Sequence, residues 1–448
     1  MTQALDALTA QMLEVAKSAG ADSADAMAVR GTSLSVDVRA GVLEEAQREE
    51  GTDIGLRVFV GQRSAIVSAS DTSSRTLSEM AERAVAMARE APENPYAGLA
   101  DTDQITSSWD AEALELFDPT PEPDPAALQK DAAEAEAAAL AVQGISQVQS
   151  ASAGYGAREV NLAGSNGFSG GYRRSDRGLS CVAIAGTGSG MERDYDGDGR
   201  IFQSDMRSPT EIGRIAAERT LARINPRKPP TGTYPVLFDE RISSSLIGHL
   251  LSAINGSAIT RGASFLRDAM GVQVLPKGIS LTEDPHRPRV TGSRPFDGEF
   301  LATSKREVVE DGVLKSWTLD LGTGRQLGLP STGNAARGTS SGPTPSPWNM
   351  ALTRGEASRD DLIRDMGTGL LVTSMIGSTI NPNTGDYSRG AAGLWIENGE
   401  VTYAVNECTI AGNLRDMLLS IVPANDARTH LSRVVPSLLI PGMTIAGI

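Results

Sequence analysis

Two short runs, IGLRVFVG at residues 54–61 and SCVAIAG at 180–186, decide how this chain is read. Each is rich in strand-forming residues and stops at a glycine, the pattern of a strand closed by a turn. Working outward from the first, LSVDV (34–38) alternates and SAIVS (64–68) is again β-branched. Leu5, Leu8, Met12 and Val15 recur at helical spacing before Gly20, predicting a helix over 2–18, and Leu77, Met80, Ala84 and Met87 predict another over 73–90. Working outward from the second, strands are expected around VQSASAGYG (148–156), REVNLAG (158–164) and LSCVAIAG (179–186). An alanine-rich helix precedes them at 126–142. Another follows from Ser208, where Pro209 takes the first turn and Glu211 the capping-box position. The order is the same both times: helix, strands, helix. This implies an internal duplication of an α+β unit whose strands join one antiparallel sheet with helices on one face.

The units are taken as 1–91 and 126–231. Between them, residues 92–125 hold six prolines, nine acidic residues and no basic one, a composition that cannot order itself independently and reads as a surface linker. From 232 to 448 the texture becomes glycine-punctuated and mostly β, with helices near 240–254 and 413–421. LWIENGEVTYAV (394–405) reads as a hairpin turning on Asn398-Gly399. The fold class is therefore α+β: a duplicated helix and antiparallel-sheet half, then a β-rich domain.

A formal charge of −15 repels phosphate backbones, and there is no dense Lys/Arg stripe to offset it, so no nucleic-acid partner is expected. No run of about 18 apolar residues is present, so no membrane segment is expected, and the acidic N-terminal helix gives no export signal; the expected location is cytoplasmic. Cys181 and Cys408 match neither a disulfide framework nor a zinc knuckle and read as buried thiols.

Three motifs invite chemistry and fail on context. DYDGDGRIFQSD (194–205) has calcium-loop spacing, but no helix enters it; it reads as a polar turn between strands. GTSSG (338–342) lacks the strand-to-helix elbow a nucleophile needs, because PTPSP follows. GTGSG (186–190) opens no helix and makes no phosphate cradle. SSSLIGHLLSA (243–253) carries one of three histidines, and with Asp239 as cap it places His249 on the apolar face beside Ile242, Leu246, Leu250 and Ala253, as a hydrogen-bonded core residue.

The segments YPVLFDERISSSLIGHLLSAINGSAITRGASFLRDAMGVQV and GLWIENGEVTYAVNECTIAGNLRDML, with the two-part N-terminal half, resemble the TldD/PmbA family of bacterial and archaeal peptidases. The ending LLIPGMTIAGI resembles its PmbA branch, also called TldE. In that family the TldD subunit carries an H-E-x-x-x-H zinc motif on this helix and a cysteine near the C-terminus. Aligned on the shared Gly-His pair, this chain has Ser244, Ser245 and His249 at those positions, and SRVVPS where the cysteine is expected. The motif is degenerate, so no zinc site, no metal and no catalytic residue are expected in this chain. The resemblance implies a heterodimer with a TldD-type metallopeptidase subunit that holds the zinc, acting on unfolded peptides in a cleft between the two. It places Arg261, Ser264 and Phe265 at the cleft or the partner contact. The alternative is a homodimeric peptide-binding protein independent of a peptidase, and self-pairing is left open for the chain when alone.

Overall fold

The structure is a computed structural model and describes residues 4–448; residues 2 and 3 of the first expected helix lie outside them. The first unit runs α1 (Leu5–Ser18), β1 (Ser23–Arg39), β2 (Val42–Val60), β3 (Arg63–Ala69) and α2 (Ser74–Glu90). The second runs α3 (Pro125–Leu140), β4 (Ile145–Gly164), β5 (Ser169–Ala185), β6 (Glu192–Arg200) and α4 (Pro209–Leu221). Their strands form one six-stranded antiparallel sheet in the order β3-β2-β1-β4-β5-β6. The two units thus meet at β1 and β4, their first strands, and the sheet reads outward identically from that seam. The paired glycines behave alike too: Gly61 after β2 and Gly186 after β5 both take positive φ, +58° and +84°.

All four helices cover one face, as strand period two requires. On β1 the even positions Ala24, Ala26, Ala28, Leu34, Val36 and Val38 are buried. The first three pack with Leu8 and Met12 of α1 and Leu77 and Val85 of α2. The last three pack with Leu128 and Ala135 of α3 and Ile212 and Ala216 of α4. Gly213 lets α4 lie against α3, since a Cβ there would stand 2.0 Å from the Ala135 carbonyl oxygen.

Residues 92–124 contain no helix or strand, yet they are tied into both halves. Leu114 and Leu116 are buried with Ile201. Trp109 stands edge-on to Phe296 at 5.1 Å. Arg325 donates to the carbonyls of Tyr96, Gly98 and Leu99. The segment's order comes from partners elsewhere in the chain.

In the C-terminal part, β7 (Gly232–Phe238) lies between the parallel strand Gly369–Ile380 and the antiparallel strand Leu438–Ala446. Leu438–Ala446 also pairs with Glu400–Asn413, which rolls this sheet closed around α5 (Glu240–Ala253). Leu246, Ile247, Leu250 and Leu251 of α5 fill the roll with Val236, Phe238, Leu370 and Ile440. The Asn398-Gly399 turn forms as expected, with φ of 54° and 77°.

One expectation is corrected. DYDGDG is neither a calcium loop nor a turn; it is the edge strand β6, so Asp194, Asp196 and Asp198 share one face. That face is met by arginines: Asp194 pairs with Arg241 at 3.0 Å, Asp196 with Arg219 at 2.6 Å and Asp198 with Arg200 at 3.0 Å. The carboxylates that spacing offered to a cation are neutralised by guanidinium groups, and the Arg241 pair joins β6 to α5.

Candidate binding groove and the α5 helix

Helix α5 begins at Asp239, whose carboxylate accepts from the Arg241 amide at 3.1 Å. Ser243 is fully buried, while Ser244, Ser245 and His249 are half-buried. His249 departs from the satisfied core histidine expected for it. Its ring stands edge-on to Tyr387 at 5.9 Å, and among the described residues its buried Nε2 has no hydrogen-bond partner, nor does the Ser245 hydroxyl one turn away. Burial, reinforced by the positive Arg389, holds the imidazole below its ordinary pKa. The ring is neutral at pH 7.

The donors here do not fit a catalytic zinc, which takes three protein ligands. His249 is one nitrogen beside two hydroxyls. Among the described residues no group of three His, Cys, Asp or Glu side chains is placed to hold a metal. Cys408 donates to the Ala391 carbonyl at 3.2 Å, and burial pushes its thiol up to about 11, with Cys181 at about 12; neither is a thiolate. In SRVVPS, the Ser437 hydroxyl donates to Asp426 at 2.7 Å and serves the local turn.

Arg261, Ser264 and Phe265 do not act together in the single chain. Arg261 is exposed and lines a polar cavity of about 300 Å³ with Arg57, Glu299 and Asp320. Ser264 is buried, donating to the Ala253 carbonyl at 2.6 Å and accepting from Leu266. Phe265 is buried in the core.

A groove of about 900 Å³ lies instead on the helix-free face of the N-terminal sheet. Its floor follows from strand register. Gly51 of β2 pairs with Gly31 of β1, and Gly154 of β4 pairs with Gly178 of β5, which pairs with Gly199 of β6. One glycine or more on each of five adjacent strands leaves the floor bare of side chains. Packing within the chain does not demand this: a Cβ at Gly51 or Gly178 would meet nothing within 4 Å, and one at Gly31 nothing nearer than 3.5 Å. Gly55, further along β2, is the contrast. A Cβ there would stand 2.0 Å from the Thr339 carbonyl oxygen, so it seats the GTSSG loop, whose role is packing.

Where the groove ends against the C-terminal part, charges are buried. Asp25 of β1 is fully buried between Arg57 and Arg337. Glu299 and Asp297 lie close by; burial, and for Glu299 the neighbouring Asp297, raises them to about 8 and about 6. Sequence reasoning missed all of these. Asp25, Arg57 and Arg337 are far apart in the chain and share no motif; only the β1–β2 register, Asp25 opposite Arg57, would have pointed to the first pair.

Comparison with known proteins follows this anatomy. Models of the PmbA/TldA metallopeptidases match in three parts: domain 1 over residues 24–88, the central domain over 118–224 and the C-terminal domain over 231–447. The chain is 36% identical to the metalloprotease PmbA of Escherichia coli O157:H7, covering 99% of this chain and 96% of that one. It is also 36% identical to the PmbA homolog of Haemophilus influenzae, covering 97% and 94%. A crystal structure from Bacteroides thetaiotaomicron superimposes with a TM-score of 0.92 at 26% identity over the full length of both chains. TldE from Thermococcus kodakarensis shares the fold, with a TM-score of 0.85 at 20% identity over 98% of this chain and 100% of that one. With matches along its whole length, the chain belongs to the PmbA/TldD family.

Proposed function

We propose that this chain is the non-catalytic, TldE-type subunit of a heterodimeric zinc metallopeptidase that trims unstructured peptides, with a TldD-type partner supplying the metal. The observation that carries this reading is the donor set on α5: His249 alone, with Ser244 and Ser245 at the positions of the family's first histidine and glutamate. A single imidazole with no carboxylate beside it supplies one of the three ligands a catalytic zinc takes, and while it serves as a ligand it leaves no base to accept the proton of the metal's water. Peptide handling is supported by the glycine-floored groove, which admits an extended backbone while offering few side chains to discriminate sequence. Breadth of substrate follows from the same shape, and exclusion of folded proteins from enclosure of the cleft between the two subunits.

The test is purification alone and after co-expression with a TldD-type subunit, with zinc content and cleavage of a flexible peptide measured on both. The expected result is a one-to-one complex that contains zinc and cleaves, and an isolated chain that does neither. Stoichiometric zinc and turnover in the isolated chain would overturn the proposal. Self-pairing that ignores the partner would favour the homodimeric peptide-binding reading.

A further inference from the structure

A second, smaller cavity of about 180 Å³ lies beside the groove, and Val29 and Arg158 line both. Its walls combine Met27, Val29, Val160, Leu162 and Phe296 with four arginines, Arg158, Arg174, Arg294 and Arg337. For a chain of net charge −15 this concentration of positive charge is out of character. Asp297 is the one carboxylate in the lining, and it is occupied by the amides of Glu299, Leu301 and Ala335.

The arrangement is costly as it stands. Arg158 of β4 and Arg174 of β5 are directly opposite in the antiparallel register, a placement in which like charges repel. Arg174 is buried, and burial together with Arg294 lowers its pKa to about 10. Arg158 is exposed, and its side chain makes no hydrogen bond or ion pair with any described residue. Arg294 stacks over Trp348 at 5.2 Å and, among the described residues, donates only to the carbonyls of Thr291 and Ser293. Arg337, 1% exposed, gives Nη1 to Asp25, while its buried Nε and Nη2 have no partner among the described residues. Those two N–H groups lie on one edge of the guanidinium plane, the edge that matches the two oxygens of a carboxylate. Unpaired buried donors are rare because each costs the desolvation of its group.

We propose that this cavity binds an apolar carboxylate, the C-terminal end of an extended peptide lying in the adjoining groove, with Arg337 and Arg158 recognising the carboxylate and the apolar wall accepting the last side chain. The volume suits one terminal residue, and the shared wall at Val29 and Arg158 lets a chain in the groove end there. That the carboxylate arrives on a peptide rests on the proposed function; that the cavity takes a carboxylate does not.

The test is calorimetry on the isolated full chain, without partner or zinc. The probes are a flexible heptapeptide ending in leucine as free acid, the same peptide as C-terminal amide, N-acetyl-leucine and inorganic phosphate. The free acid is expected to bind at least about tenfold more tightly than the amide, with N-acetyl-leucine weaker than the peptide acid but competing with it. Arg158→Gln, whose exposed side chain has no partner to lose, is expected to weaken acid binding about tenfold with an unchanged melting temperature. Arg337→Lys, which keeps the charge near Asp25 but removes the planar edge, is expected to weaken acid binding by a similar factor. Equal binding of acid and amide, or phosphate binding in place of the acid, would overturn the proposal. N-acetyl-leucine binding as tightly as the peptide acid would overturn the peptide source alone. Because no partner is present, failure here leaves the subunit assignment intact, and failure of that assignment leaves this binding intact.

Discussion

Replacing Asp25 with asparagine should weaken the join between the N-terminal sheet and the C-terminal part more than any comparable polar substitution. The carboxylate is 0% exposed and is bonded by Arg57, 12% exposed, and by Arg337, 1% exposed. Burial works to raise its pKa, and the two guanidinium groups overcome that and hold it below 3.8. Asparagine keeps the shape and one acceptor but leaves the buried Arg337 without its carboxylate and Arg57 with only the longer-range attraction of Glu299 and Asp320. Losing one member of a buried ion pair costs about 3–5 kcal/mol, and Arg337, with two further donors already unpaired, has no other route to compensation. Urea unfolding at pH 7, followed by tryptophan fluorescence, should therefore show a loss of about 3 kcal/mol or more. The sign with pH also follows: a carboxylate with a lowered folded pKa stabilises above its unfolded value and loses that contribution as pH falls through the folded one. The gap between wild type and variant should stay constant at neutral pH and narrow only below about pH 4. In the double variant with Arg337→Met, part of the loss should return, because the orphaned cation is gone. A single-variant loss below about 1 kcal/mol would refute the reasoning, showing that water or relaxation solvates the arginines.

Glu299, raised to about 8 by burial and Asp297, is protonated at neutral pH in the folded chain; stability should fall as pH rises from about 4.5 to 8, and a pH series of melting temperatures should show Glu299→Gln flattening that fall. His249→Leu removes a buried nitrogen without a partner, so thermal unfolding should show stability unchanged or raised by up to about 1 kcal/mol; a loss above about 2 kcal/mol would mean the imidazole is satisfied. Gly55→Ala drives a methyl into the Thr339 carbonyl and should cost about 1–3 kcal/mol in urea unfolding. Gly178→Leu, where a Cβ has open space, should leave stability within about 1 kcal/mol while abolishing peptide binding by calorimetry.

The sequence carried the duplicated half well because its signals are local. Apolar spacing in α1 and α2, the Ser208 cap and the Asn398-Gly399 turn each depend on a few neighbouring residues, and each formed. What it misread depends on partners remote in the chain. DYDGDG carries turn chemistry, yet pairing with β5 draws it into a strand and five arginines from β6, α4, α5 and the stretches around them settle its charge. His249 was placed on the correct helix, but whether its nitrogen finds a partner is decided by Tyr387 and Arg389, some 140 positions away. The groove was invisible for a sharper reason: Gly51, Gly31, Gly154, Gly178 and Gly199 look like unrelated glycines until register sets them side by side.

That register also explains why the binding features and the core do not compete. In strands of period two each face is written by alternate residues, and here the even positions of β1 take the apolar set that the four helices cover. The odd positions are free of that demand, and they read Asp25, Met27, Val29, Gly31 and Ser33: an ion pair, the wall of the arginine cavity, then bare groove. A one-residue slip of β1 against β4 would exchange the two sets, putting Asp25 under α1 and Ala26 against Arg337, so the buried charge that weakens a core elsewhere serves here to fix the alignment. Duplication then extends the same face across the seam: β4 and β5 continue it with Gly156, Arg158 and Val160 opposite Asp176, Arg174 and Tyr172. The groove and the cationic cavity are consequently one surface, graded along the strands from glycine to arginine, and a ligand that uses one is positioned to reach the other.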